Sequence, residues 1–146
     1  MDILIDGYRR FRARHWDSRE ALYRSLDDGQ TPPVCVISCC DSRVDPVTIF
    51  DAEPGQLFVI RNVANLVPPF RAGDGLQGTS TAIEFAVRYL KVRQMVVLGH
   101  ARCGGVAAAL DGRLASGAAF IGNWVSLLDA AKARVGSSED VQAAVE

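Results

Sequence analysis

Two short segments of the chain, Cys39-Cys40-Asp41-Ser42-Arg43 and His100-Ala101-Arg102-Cys103, carry residue types that suit metal chemistry. Two thiolates and one imidazole favour Zn²⁺, and three protein ligands leave a fourth position for water or substrate. A structural site normally closes that position with a fourth protein ligand, so Cys39, His100 and Cys103 point to reactivity. His-x-x-Cys alone is a weak signal; the distant Cys-x-Asp-Ser-Arg makes it much stronger. Asp41 stands two residues from Cys39, close enough to approach the metal as a fourth ligand or to accept a hydrogen bond from bound water. Arg43 follows two residues later, where a bidentate guanidinium would hold that carboxylate. The competing reading is a loop salt bridge of little energetic worth.

Both segments sit where strands are expected to end. Val34 to Ser38 and Met95 to Gly99 are apolar, β-branched runs that lead directly into them, and Leu57 to Arg61 reads as a further strand between the two. Before the first strand, Leu4, Tyr8 and Phe11 fall at helical spacing, which predicts an amphipathic helix over the first fifteen residues. Asp17 and Glu20 have capping-box spacing for a second helix ending at Gly29, and Thr31-Pro32-Pro33 then breaks the chain. Asp45-Pro46 supplies an N-cap and a first-turn proline for a short helix through Phe50, followed by a Pro54-Gly55 turn. Thr81 and Glu84 repeat the capping-box spacing, with Ile83, Val87 and Leu90 as that helix's buried stripe. Gly104-Gly105 opens a helix ending near Leu110. Phe120, Trp124, Leu127, Leu128, Ala131 and Val135 form another amphipathic stripe, read as core rather than as a cofactor box, and one more helix is expected from Ser137 or Ser138.

Nearly continuous apolar strands alternating with helices define an α/β fold with a mostly parallel central sheet covered by helices on both faces. A strand order of 2-1-3 would put the reversal of order beside the first strand. In open sheets of this kind ligands bind outside the carboxyl ends at such a reversal, so Cys39 and His100 would straddle the crevice. The chain reads as a single domain over 1–146, with a helical arm over 1–29 inside it.

Composition narrows the partners. A formal charge of -1 gives no electrostatic footprint for nucleic acid or an anionic membrane, and no apolar stretch approaches the roughly 20 residues that span a bilayer. Arg9, Arg10, Arg12 and Arg14 read as a solvated helix face, or as a face pairing with another subunit, rather than as an RNA-binding patch. Asp2 and Asp6 interrupt any secretory pattern, so the four cysteines read as reduced thiols of a cytoplasmic protein. Cys35 is then a small buried hydrophobe and Cys40 a spacer thiol.

With these residues in view, the chain resembles the β-class carbonic anhydrases. The resemblance runs from the N-terminal helices to about Leu110, and more weakly to Val135. It is carried by Gly29 to Pro33, Cys39 to Arg43, Arg61-Asn62-Val63-Ala64-Asn65, Gly78-Thr79 with Ile83 to Val87, Gly99-His100 and Cys103-Gly104-Gly105. It implies one zinc per chain held by Cys39, His100 and Cys103, and reversible hydration of carbon dioxide to bicarbonate and a proton by a zinc-bound hydroxide. By motif position it makes Asp41 and Arg43 a catalytic dyad. It puts Gln30, Phe58, Val63, Phe85 and Gly104 in the substrate-binding set, Gln30 often acting across a subunit boundary. A homodimer or higher homo-oligomer follows as an expectation, whereas Arg61 is left between anchoring the next loop and binding an anion.

Two departures carry consequences. Val36 stands where some relatives have the tryptophan of a secondary bicarbonate site, so no such site is expected. Ala101 replaces a small hydroxyl residue beside His100. The resemblance further implies additional C-terminal helices and an edge strand, so the domain reads as C-terminally incomplete. Two rival functions remain at this stage: hydrolysis of carbon disulfide or carbonyl sulfide on the same fold, and a non-catalytic zinc-stabilised interaction domain.

Overall fold

The computed structural model describes residues 1–70, 77–111 and 120–135. They fall into two compact units, Met1–Thr31 and Pro32–Glu146. The first is helical: α1 (Asp2–Phe11) passes through a π-helical turn (Arg12–Trp16) into α2 (Asp17–Ser25). Phe11, Trp16 and Asp17 all keep right-handed helical backbone angles, so no break occurs for Asp17 to cap. The expected capping box is therefore absent, because residues 8–28 contain no Gly or Pro to interrupt the helix. α2 ends at Ser25 rather than Gly29, and Gly29 takes a φ of 133° in the segment that follows. Trp16 stacks on Tyr23 at 5.6 Å, and the Arg12 guanidinium lies 4.2 Å from the Trp16 ring centre. Arg9 pairs with Asp6 at 3.0 Å, while Leu4 and Tyr8 of the expected apolar stripe are exposed.

In the second unit, β1 (Val34–Cys39) lies between β2 (Leu57–Asn62) and β3 (Gln94–Leu98), giving the expected order β2-β1-β3. Both pairings are parallel, with Cys39 opposite Asn62 and Ser38 opposite Leu98. Parallel neighbours need crossover connections, here carrying α3 (Pro46–Ile49) and α4 (Gly78–Arg88). Asp45 caps α3 as expected: its carboxylate accepts from the Thr48 amide at 3.0 Å and hydroxyl at 2.6 Å, with Pro46 opening the helix.

α4 begins at Gly78 after an N-cap at Gln77, which puts Thr81 inside the helix rather than at its start. Its buried line is Ala82, Ile83 and Ala86, packed on Cys35, Ile37 and Ile60. Val87 is exposed, so the expected stripe is displaced by one helical position towards the sheet. α5 (Gly104–Leu110) follows the second motif. The expected continuous stripe after Phe120 is divided among α6 (Ile121–Val125), a 3₁₀ turn (Ser126–Leu128) and α7 (Asp129–Val135). Val125 and Leu128 enter the core and Phe120 does not. The helix expected from Ser137 or Ser138 lies outside the described residues.

β1 is covered, but β3 is not: Met95, Val96 and Val97 are exposed among the described residues. Helices flank the sheet as expected, and among the described residues these three β3 side chains are left open. A second core cluster sits beneath the strand ends, where Val44, Ala64, Val106, Val125 and Leu128 surround Cys39 and Cys103. Burying each of the larger apolar side chains there contributes about 1.5–3 kcal/mol. The ligand loops thus rest on a packed floor. No helix among the described residues is long and apolar enough to cross a membrane.

Candidate metal centre

Cys39 is the last residue of β1, and His100 and Cys103 lie in the loop between β3 and α5. One ligand atom from each converges, all within 4.8 Å of one another. The two sulfurs are 3.9 Å apart. Two sulfurs each about 2.3 Å from a tetrahedral zinc would stand about 3.8 Å apart, so the spacing fits. His100 Nε2 is buried with no hydrogen-bond partner among the described residues. An orphaned imidazole nitrogen beside two thiols is costly unless a cation takes its lone pair. The donor set therefore fits a zinc ion.

The loop reaches this geometry by bending hard. Arg102 holds a φ of 56°, a left-handed conformation that costs a non-glycine residue about 1–2 kcal/mol. Burial alone would raise the Cys39 thiol pKa, but the Asp41 amide, the neighbouring His100 imidazole, the Ala64 amide and Cys103 together hold it below the usual value. Cys103 goes the other way: burial pushes its thiol up, and the nearby Cys39 adds to the rise against the opposing Val106 and Gly105 amides.

Asp41 is not among the converging atoms. Arg43 Nε donates to its Oδ1 at 2.9 Å and Arg43 NH2 to its Oδ2 at 2.7 Å, the expected bidentate clamp. The Arg43 amide adds a third bond to Oδ1 at 2.9 Å. The guanidinium beside it holds the Asp41 carboxyl far below the usual carboxylate range. Arg43 NH2 also reaches the Arg102 carbonyl at 3.2 Å and so ties the two ligand loops together.

The ambiguity over Arg61 resolves in favour of an anchor. It donates to the carbonyls of Cys39 at 3.0 Å and Asp41 at 2.7 Å, and faces Asp45 at 3.4 Å. Its partners are all groups of the ligand loop. The 3₁₀ turn Val63–Asn65 follows β2 and puts Ala64 at φ 64° and Asn65 at φ 46°. The Asn62 side chain spans this turn, accepting from the Leu66 amide at 2.8 Å and donating to the Leu66 carbonyl at 2.9 Å.

The substrate-binding set is only partly brought together. Phe58 and Phe85, with ring centres 6.0 Å apart, line a cavity of about 420 Å³. Val63 lines a different cavity of about 720 Å³, which shares Gln77 and Gly78 with the first. Gly104 opens α5 with free space at its Cβ position. Gln30 is exposed in the first unit, in the segment after α2. Ala64, Arg102 and Trp124 are site neighbours to which sequence reasoning gave no role at the site. An asparagine one residue after Ala64, close behind a strand, was the available sign of a tight turn for the first; nothing local marks the other two.

The sequence model of the family described as carbonic anhydrase matches residues 34–146. The chain belongs to the β-class carbonic anhydrase family. Among curated relatives, a carbonic anhydrase of Synechocystis sp. is 42% identical over 110 residues, covering 75% of this chain and 39% of that protein. One of Synechococcus elongatus is 44% identical over 110 residues, covering 75% and 40%. Among solved structures, the β-carbonic anhydrase CcaA matches with a TM-score of 0.88 at 34% identity, covering 99% of this chain and 67% of that one. A tetrameric β-carbonic anhydrase of Sordaria macrospora matches at 0.79 and 27%, covering 99% and 73%. The chain spans about two fifths of the length of the curated relatives.

Proposed function

We propose that this chain carries out the zinc-dependent reversible hydration of carbon dioxide to bicarbonate and a proton. The observation that supports this best is the convergence of Cys39, His100 and Cys103 beside a carboxylate that Arg43 clamps through both oxygens. A purely structural zinc site needs neither Asp41 nor Arg43. Bound zinc supplies a Lewis acid that lowers the pKa of water and makes a nucleophile available near neutral pH.

The protein's own residues do the rest. Asp41 stays ionised and accepts a hydrogen bond from the attacking water, fixing the direction of its lone pair. Arg43 keeps that carboxylate from entering the coordination sphere, and Arg61 stiffens the loop on which both depend. Phe58 and Phe85 offer an apolar wall to a substrate that has no net dipole, while Val63, Gly104 and Gln30 complete the substrate-binding set. We also assign the protein to the cytoplasm and to a homodimer or larger homo-oligomer, the state in which Gln30 would act across a subunit boundary. The two units then serve as a helical arm and a catalytic body of one domain.

Stopped-flow hydration of carbon dioxide by the zinc-loaded chain tests this reading. We expect turnover that a zinc-binding anion abolishes. Zinc bound in full with no turnover above buffer overturns the catalytic assignment.

A further inference from the structure

Cys103 is steadied on one side by the helix it opens, where its carbonyl accepts from the Ala107 amide at 3.0 Å. On the other side stands Arg102, whose φ of 56° a residue with a Cβ adopts only at a cost. The next residue, Cys103, is back at an ordinary φ of -63°. The left-handed step is therefore taken directly before the ligand. Relaxing Arg102 to a negative φ would swing the following peptide and carry the Cys103 sulfur away from Cys39, whose sulfur it meets at 3.9 Å. Strain of this kind persists only where the surroundings over-determine it.

The Arg102 carbonyl shows what does so. A trans peptide is planar, so a donor on that oxygen sets the plane from which Cys103 departs. The donor is Arg43, 59 residues away in sequence, at 3.2 Å. One terminal nitrogen of its guanidinium carries two N–H bonds in the plane of the group. One meets Asp41 Oδ2 at 2.7 Å, and the other is left for Arg102. Nε and the Arg43 amide both donate to Asp41 Oδ1 at 2.9 Å, which sets the fork before it reaches across. The Arg43 side chain is 60% exposed, so a donor free to rotate would compete poorly with water for that carbonyl. A fork already held by a carboxylate meets it with little further loss of freedom.

We propose that Arg43 is a positioning residue for the ligand Cys103, holding the left-handed Arg102 by its carbonyl through the same guanidinium plane that clamps Asp41. The proposal rests on reading Cys39, His100 and Cys103 as a metal site. It gives the carboxylate to be aimed and the thiolate to be held one rigid support. A positive charge beside the site repels a divalent cation, so whatever Arg43 adds to zinc retention comes through geometry.

The test is the rate at which the zinc-loaded full chain gives up its metal to excess chelator, measured in a double-mutant cycle. Arg43→Lys keeps the charge and a bond to Asp41, but an ammonium on a flexible stem has no second donor fixed in that plane. We expect it to release zinc roughly tenfold faster. Arg102→Gly removes the strain, because glycine takes a positive φ without steric cost. In that background Arg43→Lys should accelerate release by about twofold or less. Equal acceleration in both backgrounds overturns the proposal, since Arg43 then acts without Arg102. No acceleration in either overturns it equally. NMR coupling across the hydrogen bond, from the Arg43 guanidinium nitrogen to the Arg102 carbonyl carbon in the unmutated loaded chain, frees the outcome from how the variants fold. Its absence overturns the proposal. A chain that takes up no zinc overturns the metal reading itself, and the proposal falls with it.

Discussion

β1 and β3 are both short, apolar, parallel strands that deliver metal ligands just beyond their carboxyl ends, yet they live in different surroundings. Ile37 in β1 is 1% exposed, whereas Val97, its register partner in β3, is 54% exposed. The difference follows sheet order: among the described residues β1 has a neighbour on each side and β3 on one side only. It extends to the ligand loops. The loop after β1 carries the Asp41–Arg43 clamp and is tied down by Arg61, while the loop after β3 turns on the left-handed Arg102. Both strands thus supply ligands, and the buried one also anchors the groups that must be aimed. Removing parts from each side shows how far that division holds.

The largest effect should come from the ligands, where the two strands are equal. Cys39→Ala and Cys103→Ala each leave two of three donors, and we expect both to lose stoichiometric zinc. Their affinity should drop by more than about a hundredfold, since even outer-shell partners are worth 10–100-fold. Metal analysis after dialysis reads this directly. Full zinc retained by Cys103→Ala would remove it from the ligand set and leave His100 as the one ligand from the loop after β3.

Next comes the asymmetry of the two loops. Asp41→Ala should keep its zinc and lose activity by about 10²–10⁴-fold, the usual span for a positioned acid–base group. Because Arg43 holds the Asp41 carboxyl far below the ordinary range, that group is ionised throughout the working pH range. Activity should therefore rise from mildly acidic to alkaline pH without a limb belonging to Asp41. Normal turnover in Asp41→Ala would show that the clamp only braces the loop.

Stability gives a smaller but cleaner contrast. Ile37→Ala empties a packed site and should cost about 2–5 kcal/mol, while Val97→Ala should stay within about 0.5 kcal/mol. Urea unfolding of the two variants compares them. Equal losses would mean that β3 is covered in solution and that its exposure here does not describe its surroundings.

This contrast also marks what could be read from the chain and what could not. The ligand set, the strand ends and the order β2-β1-β3 follow from residue types and apolar runs, because each is a local pattern with a topological rule attached. The capping of α3 was legible for the same reason, as Asp45 and Pro46 act within one turn. Asp17 carried the same signal and was not a cap, since a cap exists only where the backbone leaves the helix. The start of α4 and the stripe from Phe120 failed similarly: periodicity finds an apolar face, but packing decides which member of it meets the core. The bond from Trp124 to Val63 had no local sign at all. Nor did β3 advertise its exposure, because Met95, Val96 and Val97 read like the residues of a buried strand.

The smallest effect concerns the brace on the loop after β1. Thr48, chiefly through its hydroxyl and then its amide, holds the Asp45 carboxyl below its ordinary value, with Arg61 adding to the shift. A carboxyl lowered on folding contributes stability that is complete above the unfolded value, near 3.9, and is lost as pH falls through the folded one. Asp45→Ala should thus cost about 1 kcal/mol at neutral pH, the usual worth of an N-cap. The cost should shrink as acid protonates the unmutated chain, until the two unfold alike below the folded value. Urea unfolding of both proteins across the acidic range follows the difference. A difference that stayed constant through acid would mean that Asp45 acts by shape alone and that the charge on Arg61 does nothing for the loop. A difference that collapsed together with metal binding would show instead that the brace at the end of β1 and the ligand geometry are one cooperative unit, with β3 a passenger in it.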